Sequence, residues 1–163
     1  MAIDFRIGHG YDVHRLVPNR ALVLGGVTVP YEYGLLGHSD ADALLHAVMD
    51  AILGALAEGD IGQHFPDSDP RYSGIASTFL LKEVVALAEM RGYCVGNVDV
   101  TVVAQRPKLA PYIPQMREVI AKTAGISVGC VSVKATTEEG LGFTGSLDGI
   151  AAHAVVLMKP KEA

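Results

Sequence analysis

Gly8-His9-Gly10-Tyr11-Asp12-Val13-His14 follows the first apolar run of the chain, Asp4 to Ile7, which reads as a short strand. In extended backbone, side chains two apart share a face. Asp12 and His14 therefore converge on one point, with a carboxylate oxygen and an imidazole nitrogen as donors for a divalent metal. The natural third donor lies about thirty residues on, in His38-Ser39-Asp40-Ala41-Asp42-Ala43-Leu44-Leu45-His46. Three protein donors leave a coordination position open, as in catalytic rather than structural zinc sites. Asp-x-His alone reads more simply as a turn residue beside a half-buried histidine. Its surroundings tip the balance towards a metal.

Working outward, the elements alternate. Ala21 to Pro30 reads as two short strands joined by Gly25-Gly26, a hairpin signal. Gly34 to Gly37 reads as a loop. Ser39 is expected to start the best-marked helix, with Ser39-x-x-Asp42 as a variant capping box. Ala41, Leu44, Leu45, Val48, Ile52, Ala55 and Leu56 follow helical spacing and should face the core. Asp42, His46, Met49, Asp50 and Leu53 form a stripe beside that face, where a helix can border a cleft. Gly59 is expected to end the helix. Asp60 to Pro70 reads as a polar loop and Ile75 to Arg91 as a second helix closed by Gly92. Asn97 to Ala104 is a buried strand by its valines. Pro107 to Pro111 is a loop, and Pro114 to Ala124 a third helix ending at Gly125. Val131 to Ala135 is a strand, Thr136 to Gly149 a glycine-rich loop and Ile150 to Met158 a final strand. The fold class expected is α/β (α+β): a mixed sheet with helices packed on one face, in a single domain over residues 1–163.

The chain has 163 residues, enough for one domain with a real core. A net charge of -5 argues against nonspecific nucleic-acid or acidic-membrane binding. No apolar run is long enough to span a bilayer. The opening Met1-Ala2-Ile3-Asp4 lacks the basic and apolar regions of a secretory leader. Cys94 and Cys130 stand far apart without a Cys-x-x-Cys motif and read as reduced. Together these lead to a cytoplasmic expectation.

Further stretches carry chemistry. Lys134-Ala135-Thr136-Thr137-Glu138-Glu139-Gly140 sets hydroxyls, a lysine and carboxylates at a strand end. Hydroxyls and backbone N–H groups suit phosphate oxygens, and a carboxylate suits a hard cation. Gly8-x-Gly10 is a weak phosphate-loop signal. Gly140-x-Gly142-x-x-Gly145 matches the dinucleotide pattern but precedes a strand, which argues against a Rossmann unit. His38 and Ser39 stand at an expected helix N-terminus, where anions are favoured. His9, His64 and His153 have no such context, and His153, in an apolar strand, reads as structural. Nothing supports a covalent nucleophile.

The motifs together resemble one family. Ile7 to His14, Leu24-Gly25-Gly26, Gly34 to Asp40, Gly59 to Gly62, Phe65-Pro66-Asp67, Asn97 to Val100, Ile113 to Arg117, Lys134 to Thr137 and Leu141 to Gly145 match in order. The chain resembles the 2-C-methyl-D-erythritol 2,4-cyclodiphosphate synthases of the non-mevalonate isoprenoid pathway, in their stand-alone form. The resemblance implies a homotrimer with its sheets around a central channel and active sites between subunits. It implies release of CMP from 4-diphosphocytidyl-2-C-methyl-D-erythritol 2-phosphate. Asp12, His14 and His46 would hold one Zn2+ per subunit, and Glu139 a second cation, Mg2+ or Mn2+, at the diphosphate. His38 and Thr137 would be the catalytic side chains. Asp12, His14, His38 and Ser39 would border the substrate, with Asp60, Ile61 and Gly62 at the erythritol and Phe65, Asp67 and Asp69 in the loop beside it. Ala104, Lys108, Leu109, Ala110, Thr136, Thr137, Glu138, Glu139 and Phe143 would hold the remainder. Many members carry arginine where Ser146 stands, at the mouth of the central channel. An isoprenoid diphosphate there is therefore expected to bind weakly.

Two other readings stand beside this one. Two histidines and a carboxylate could hold Fe(II) for oxygen chemistry, which leaves the Lys134 to Thr137 stretch and Glu139 without a role. A trimeric sensor of cytidine nucleotides without turnover would leave the Asp12, His14, His46 set without one.

Overall fold

The computed structural model describes residues 4–161. The leader reading, and the ends of the expected 1–163 domain, lie partly outside those residues. The chain forms a five-stranded mixed sheet of order β4-β1-β7-β5-β6. Its strands are β1 (Arg6–Pro18), β4 (Tyr33–Leu35), β5 (Tyr93–Val103), β6 (Val131–Thr136) and β7 (Gly149–Pro160). All neighbours run antiparallel except β5 and β6. A hairpin of β2 (Leu22–Leu24) and β3 (Val27–Val29) stands apart from the sheet. The mixed α/β class and the Gly25-Gly26 turn are as expected: both glycines take positive φ, +60° and +72°, the conformation a tight two-residue hairpin demands.

The helices α1 (Ala43–Ala55), α3 (Ser77–Met90) and α4 (Ile113–Ala124) cover one face of the sheet; α2 (Ile61–His64) and α5 (Gly142–Gly145) are single turns. On β1, Gly8 and Gly10 are buried while Ile7, His9, Tyr11 and Val13 are exposed. On β7, Ala152, Ala154 and Val156 are buried while His153 and Val155 are exposed. The period of two thus separates a helix-covered face from an open one. The open face is apolar for a solvent-facing surface: Ile7 is 72% exposed and Tyr11, Val13 and Val155 more than 40%.

Several expectations need correction. β1 does not stop at His14; pairing with β4 carries it to Pro18, so Gly34 to Gly37 is partly strand. Helix α1 starts at Ala43, not Ser39, because Ala41 sits at φ +57°, outside the helical range. Asp42 is its N-cap and accepts from the Leu45 N–H. The same carboxylate accepts from the Gly25 and Gly26 N–H groups at 2.9 and 2.7 Å, pinning the hairpin to the helix. The supposed cleft stripe is mostly core: Met49 and Leu53 are fully buried, and of α1 only Asp50 and Gly54 are not. The helix ends at Ala55, with Leu56 as its C-cap and Ala57 at φ +57°, before Gly59. Asp60 to Pro70 contains α2, Thr136 to Gly149 contains α5, and the strands at Asn97 and Ile150 run longer at their outer ends. His153 is exposed and not a core residue. The third helix and its left-handed Gly125, φ +69°, fall as expected.

Candidate metal centre and substrate cleft

The site begins with two glycines. Gly8, Gly10, Asp12 and His14 share the covered face of β1, and α1 lies across it. A Cβ on Gly8 would stand 1.7 Å from the Ala51 carbonyl oxygen, and one on Gly10 1.8 Å from that of Ala47. Only glycine lets helix and strand backbones approach so closely. Gly8-x-Gly10 is therefore a packing device, and the phosphate-loop reading falls away. This contact brings His46, one residue before Ala47, beside Asp12 and His14.

The three donor atoms form a small triangle. His14 Nε2 lies 2.8 Å from Asp12 Oδ2, His46 Nδ1 lies 3.2 Å from the same oxygen, and the two nitrogens are 3.2 Å apart. Among the described residues this is the one group of at least three such donors close enough to hold one ion. Donors about 2.0–2.1 Å from a tetrahedral zinc stand roughly 3.3 Å from each other, so the triangle fits such an ion with little movement.

The outer partners fit as well. His14 Nδ1 donates to the Leu36 carbonyl at 2.7 Å, which leaves its Nε2 lone pair facing the triangle. His46 Nε2 donates to Ser77 Oγ at 2.9 Å, and the Ser77 hydroxyl donates to the Asp40 carboxylate. That relay leaves the His46 Nδ1 lone pair facing inward. Ser39 Oγ adds a contact to His46 Nε2 at 3.3 Å. Ser77 and Asp40 were not legible as site residues. They stand 37 residues apart, and only the packing of α3 brings them together.

Burial raises the Asp12 carboxyl, but hydrogen bonds with His14 and His46 outweigh it and hold the group below its ordinary value. Burial lowers the His14 imidazole, and the Asp12 contact outweighs that in turn, so His14 is held above its ordinary value. Both shifts come from the attraction between the Asp12 carboxylate and the two imidazoles, and a divalent cation would compete with a proton for the same donor atoms.

A cavity of about 570 Å³ opens from the triangle. Asp12, His14, His38, Ser39, His46, Ile61, Gly62, Phe65 and Asp67 all line it. Asp50 anchors one wall, accepting from the Ile61 N–H at 2.8 Å and tying α2 to α1. His38 Nε2 donates to the Asp69 carbonyl at 3.2 Å, so its other nitrogen is available to a ligand. Asp60 and Asp69 are not on the wall. Asp60 caps α2, and the Asp69 carboxylate is held by Arg71 at 2.6 Å.

Six more of the expected residues, Ala104, Lys108, Leu109, Ala110, Thr136 and Thr137, line a second cavity of about 300 Å³. Ala104 and Leu109 are buried as whole residues, the Ala104 N–H donates to the Thr136 carbonyl and the Leu109 carbonyl accepts from the Tyr112 N–H, so Lys108, Thr136 and Thr137 are the exposed polar groups of this cavity. The two cavities share one end of the sheet but not one place. Val13 pairs with Ala151, Ala151 with Val103 and Val103 with Thr136. Three strand spacings of about 4.8 Å put the groups roughly 14 Å apart. Glu138 accepts from the Thr144 hydroxyl, and exposed Glu139 follows at φ +53°. Phe143 lines a third cavity with Val13, His14, Arg15 and Asp148.

The chain matches the YgbB family over residues 5–159. It is 64% identical over 156 residues to the 2-C-methyl-D-erythritol 2,4-cyclodiphosphate synthase of Trichlorobacter lovleyi, covering 96% of this chain and 99% of that one. Its structure matches the bifunctional IspDF of Campylobacter jejuni with TM-score 0.93 and 40% identity, over 97% of this chain but only 43% of the longer protein. It also matches an IspF of Plasmodium falciparum in complex with CDP, with TM-score 0.86 and 34% identity over 99% of this chain and 100% of that one. Among the described residues no helix is long and apolar enough to cross a membrane.

Proposed function

The chain belongs to the YgbB family, with the 2-C-methyl-D-erythritol 2,4-cyclodiphosphate synthases, which are lyases, and on that footing we propose that it converts 4-diphosphocytidyl-2-C-methyl-D-erythritol 2-phosphate to the cyclic diphosphate and CMP. The observation that carries this is the Asp12, His14, His46 triangle opening into a cavity lined by His38, Ser39 and the Ile61 to Asp67 wall. The donor set and its tautomer-fixing partners suit zinc. A bound divalent ion would polarise the β-phosphate and offset its charge.

The residues do the positioning. His38 and Ser39 face the phosphates, and Ile61, Gly62, Phe65 and Asp67 enclose the erythritol. The 2-phosphate oxygen attacks the β-phosphorus. A new P–O bond forms, the bond from that phosphorus to the α–β bridging oxygen breaks, and CMP leaves with the electron pair. No protein nucleophile is needed, so catalysis rests on orientation and charge. Lys108, Thr136 and Thr137 hold the cytidine diphosphate of the substrate. Glu139 offers a carboxylate for Mg2+ or Mn2+ there, and Glu138 braces the loop through Thr144. Asp60 and Asp69 act by shaping the wall.

The assembly we propose is a homotrimer of the single domain, working in the cytoplasm. Two observations support it: the open apolar sheet face, and the separation of the two cavities within one chain. A neighbouring subunit would bring its Lys108 cavity against the first chain's metal cavity. At the channel mouth Ser146 is exposed and uncharged, and Arg15 shares its nearby cavity with Asp148, which offsets it. Weak binding of an isoprenoid diphosphate follows. Incubating the chain with the cytidyl substrate and following phosphorus NMR tests the reaction. CMP and the cyclic diphosphate should appear in equal amounts. CMP with a linear phosphate product, or no CMP, would overturn it.

A further inference from the structure

We propose that His9 and His153 form a second site for a divalent transition-metal ion, on the open face of the sheet and separate from the Asp12 triangle. The chain has six histidines. Four have an oxygen partner that orients the ring: His14 the Leu36 carbonyl, His38 the Asp69 carbonyl, His46 the Ser77 hydroxyl and His64 the Glu58 carbonyl. The other two have only each other among the described residues. His9 Nε2 faces His153 Nδ1 at 3.4 Å, and the ring centroids are 5.6 Å apart.

That spacing is what two nitrogens on one tetrahedral ion require, roughly 3.3 Å for bonds of about 2.0–2.1 Å. The pair sits on rigid elements. His9 is opposite Val155 and His153 opposite Tyr11, so the histidines lie diagonally across β1 and β7. The Tyr11 ring packs on His153 at 4.8 Å between centroids and limits its rotation. An ion would have to order the exposed His9 ring, while the His153 ring already packs on Tyr11. Two imidazoles without a carboxylate suit Ni2+, Cu2+ or Zn2+ rather than Mg2+ or Ca2+. Water would fill the remaining positions. His9 lies on the opposite face of β1 from Asp12 and His14, so the two sites cannot share an ion. The site needs one chain only; the proposed trimer would set three such pairs around its axis.

Equilibrium dialysis of the full chain against Ni2+, with bound metal counted by mass spectrometry, tests this. The parent should bind two ions per chain, and His153→Gln and His9→Gln one each, with unchanged melting profiles and unchanged CMP release. His46→Ala should lose the other ion and keep the one that His153→Gln removes. A His153→Gln chain that binds as many ions as the parent overturns the proposal, and so does a parent that binds one.

Discussion

At the scale of single residues, the donor triangle depends on groups outside it. Ser77 fixes the His46 tautomer through one hydrogen bond of 2.9 Å. Ser77→Ala should weaken zinc binding by roughly 10–100-fold while the three ligands remain. Competition with a chromogenic chelator measures this. Asp42 is buried, and burial pushes its carboxyl from 3.8 up to about 6, against the Leu45, Gly26 and Gly25 N–H groups that favour the charge. Its folded value lies above its unfolded one, so the folded state binds the extra proton between these values. Stability from this group therefore falls as pH rises from about 4 to about 6 and is level above that. The full gap is on the order of 3 kcal/mol. Asp42→Asn should flatten that limb, read as denaturant midpoints across the window.

At the scale of elements, the decisive contact is α1 on β1. Gly10→Ala would drive a methyl into the Ala47 carbonyl, so α1 must lift. Overpacking of this kind costs about 1–3 kcal/mol, and bound zinc should fall with it. A thermal melt and a metal count on one sample check both. This contact also marks the limit of the sequence reading. Alternation put Asp12 and His14 on one face, so two donors were legible, while the third was placed only within His38 to His46, and the resemblance singled out His46. The purpose of Gly8 and Gly10 was not, because nothing local says which helix lies over them. The late start of α1 was hidden for a related reason. Ser39 and Asp42 are both good caps, and the choice fell to Asp42 because it also holds the hairpin turn. Asp40 and Ser77 were invisible to periodicity, since their partnership exists only once α3 packs.

At the scale of the whole molecule, the proposed trimer places each active site between two chains. A mixture of inactive His46→Ala and inactive Lys108→Ala chains, allowed to exchange subunits, should recover part of the parent activity. No recovery after verified exchange would put both residues in one chain's site. Ser146→Arg should tighten geranyl diphosphate binding by titration calorimetry, with the gain shrinking at high salt. The central claim is that Asp12, His14 and His46 hold the ion on which cyclisation depends. The most direct measurement is zinc titration of chelator-stripped protein, with Mg2+ present throughout, following CMP release. Activity should climb from near zero and break at the first equivalent per chain, and His46→Ala should stay flat. Full turnover by the stripped protein, or a parent-like titration by His46→Ala, would contradict the account.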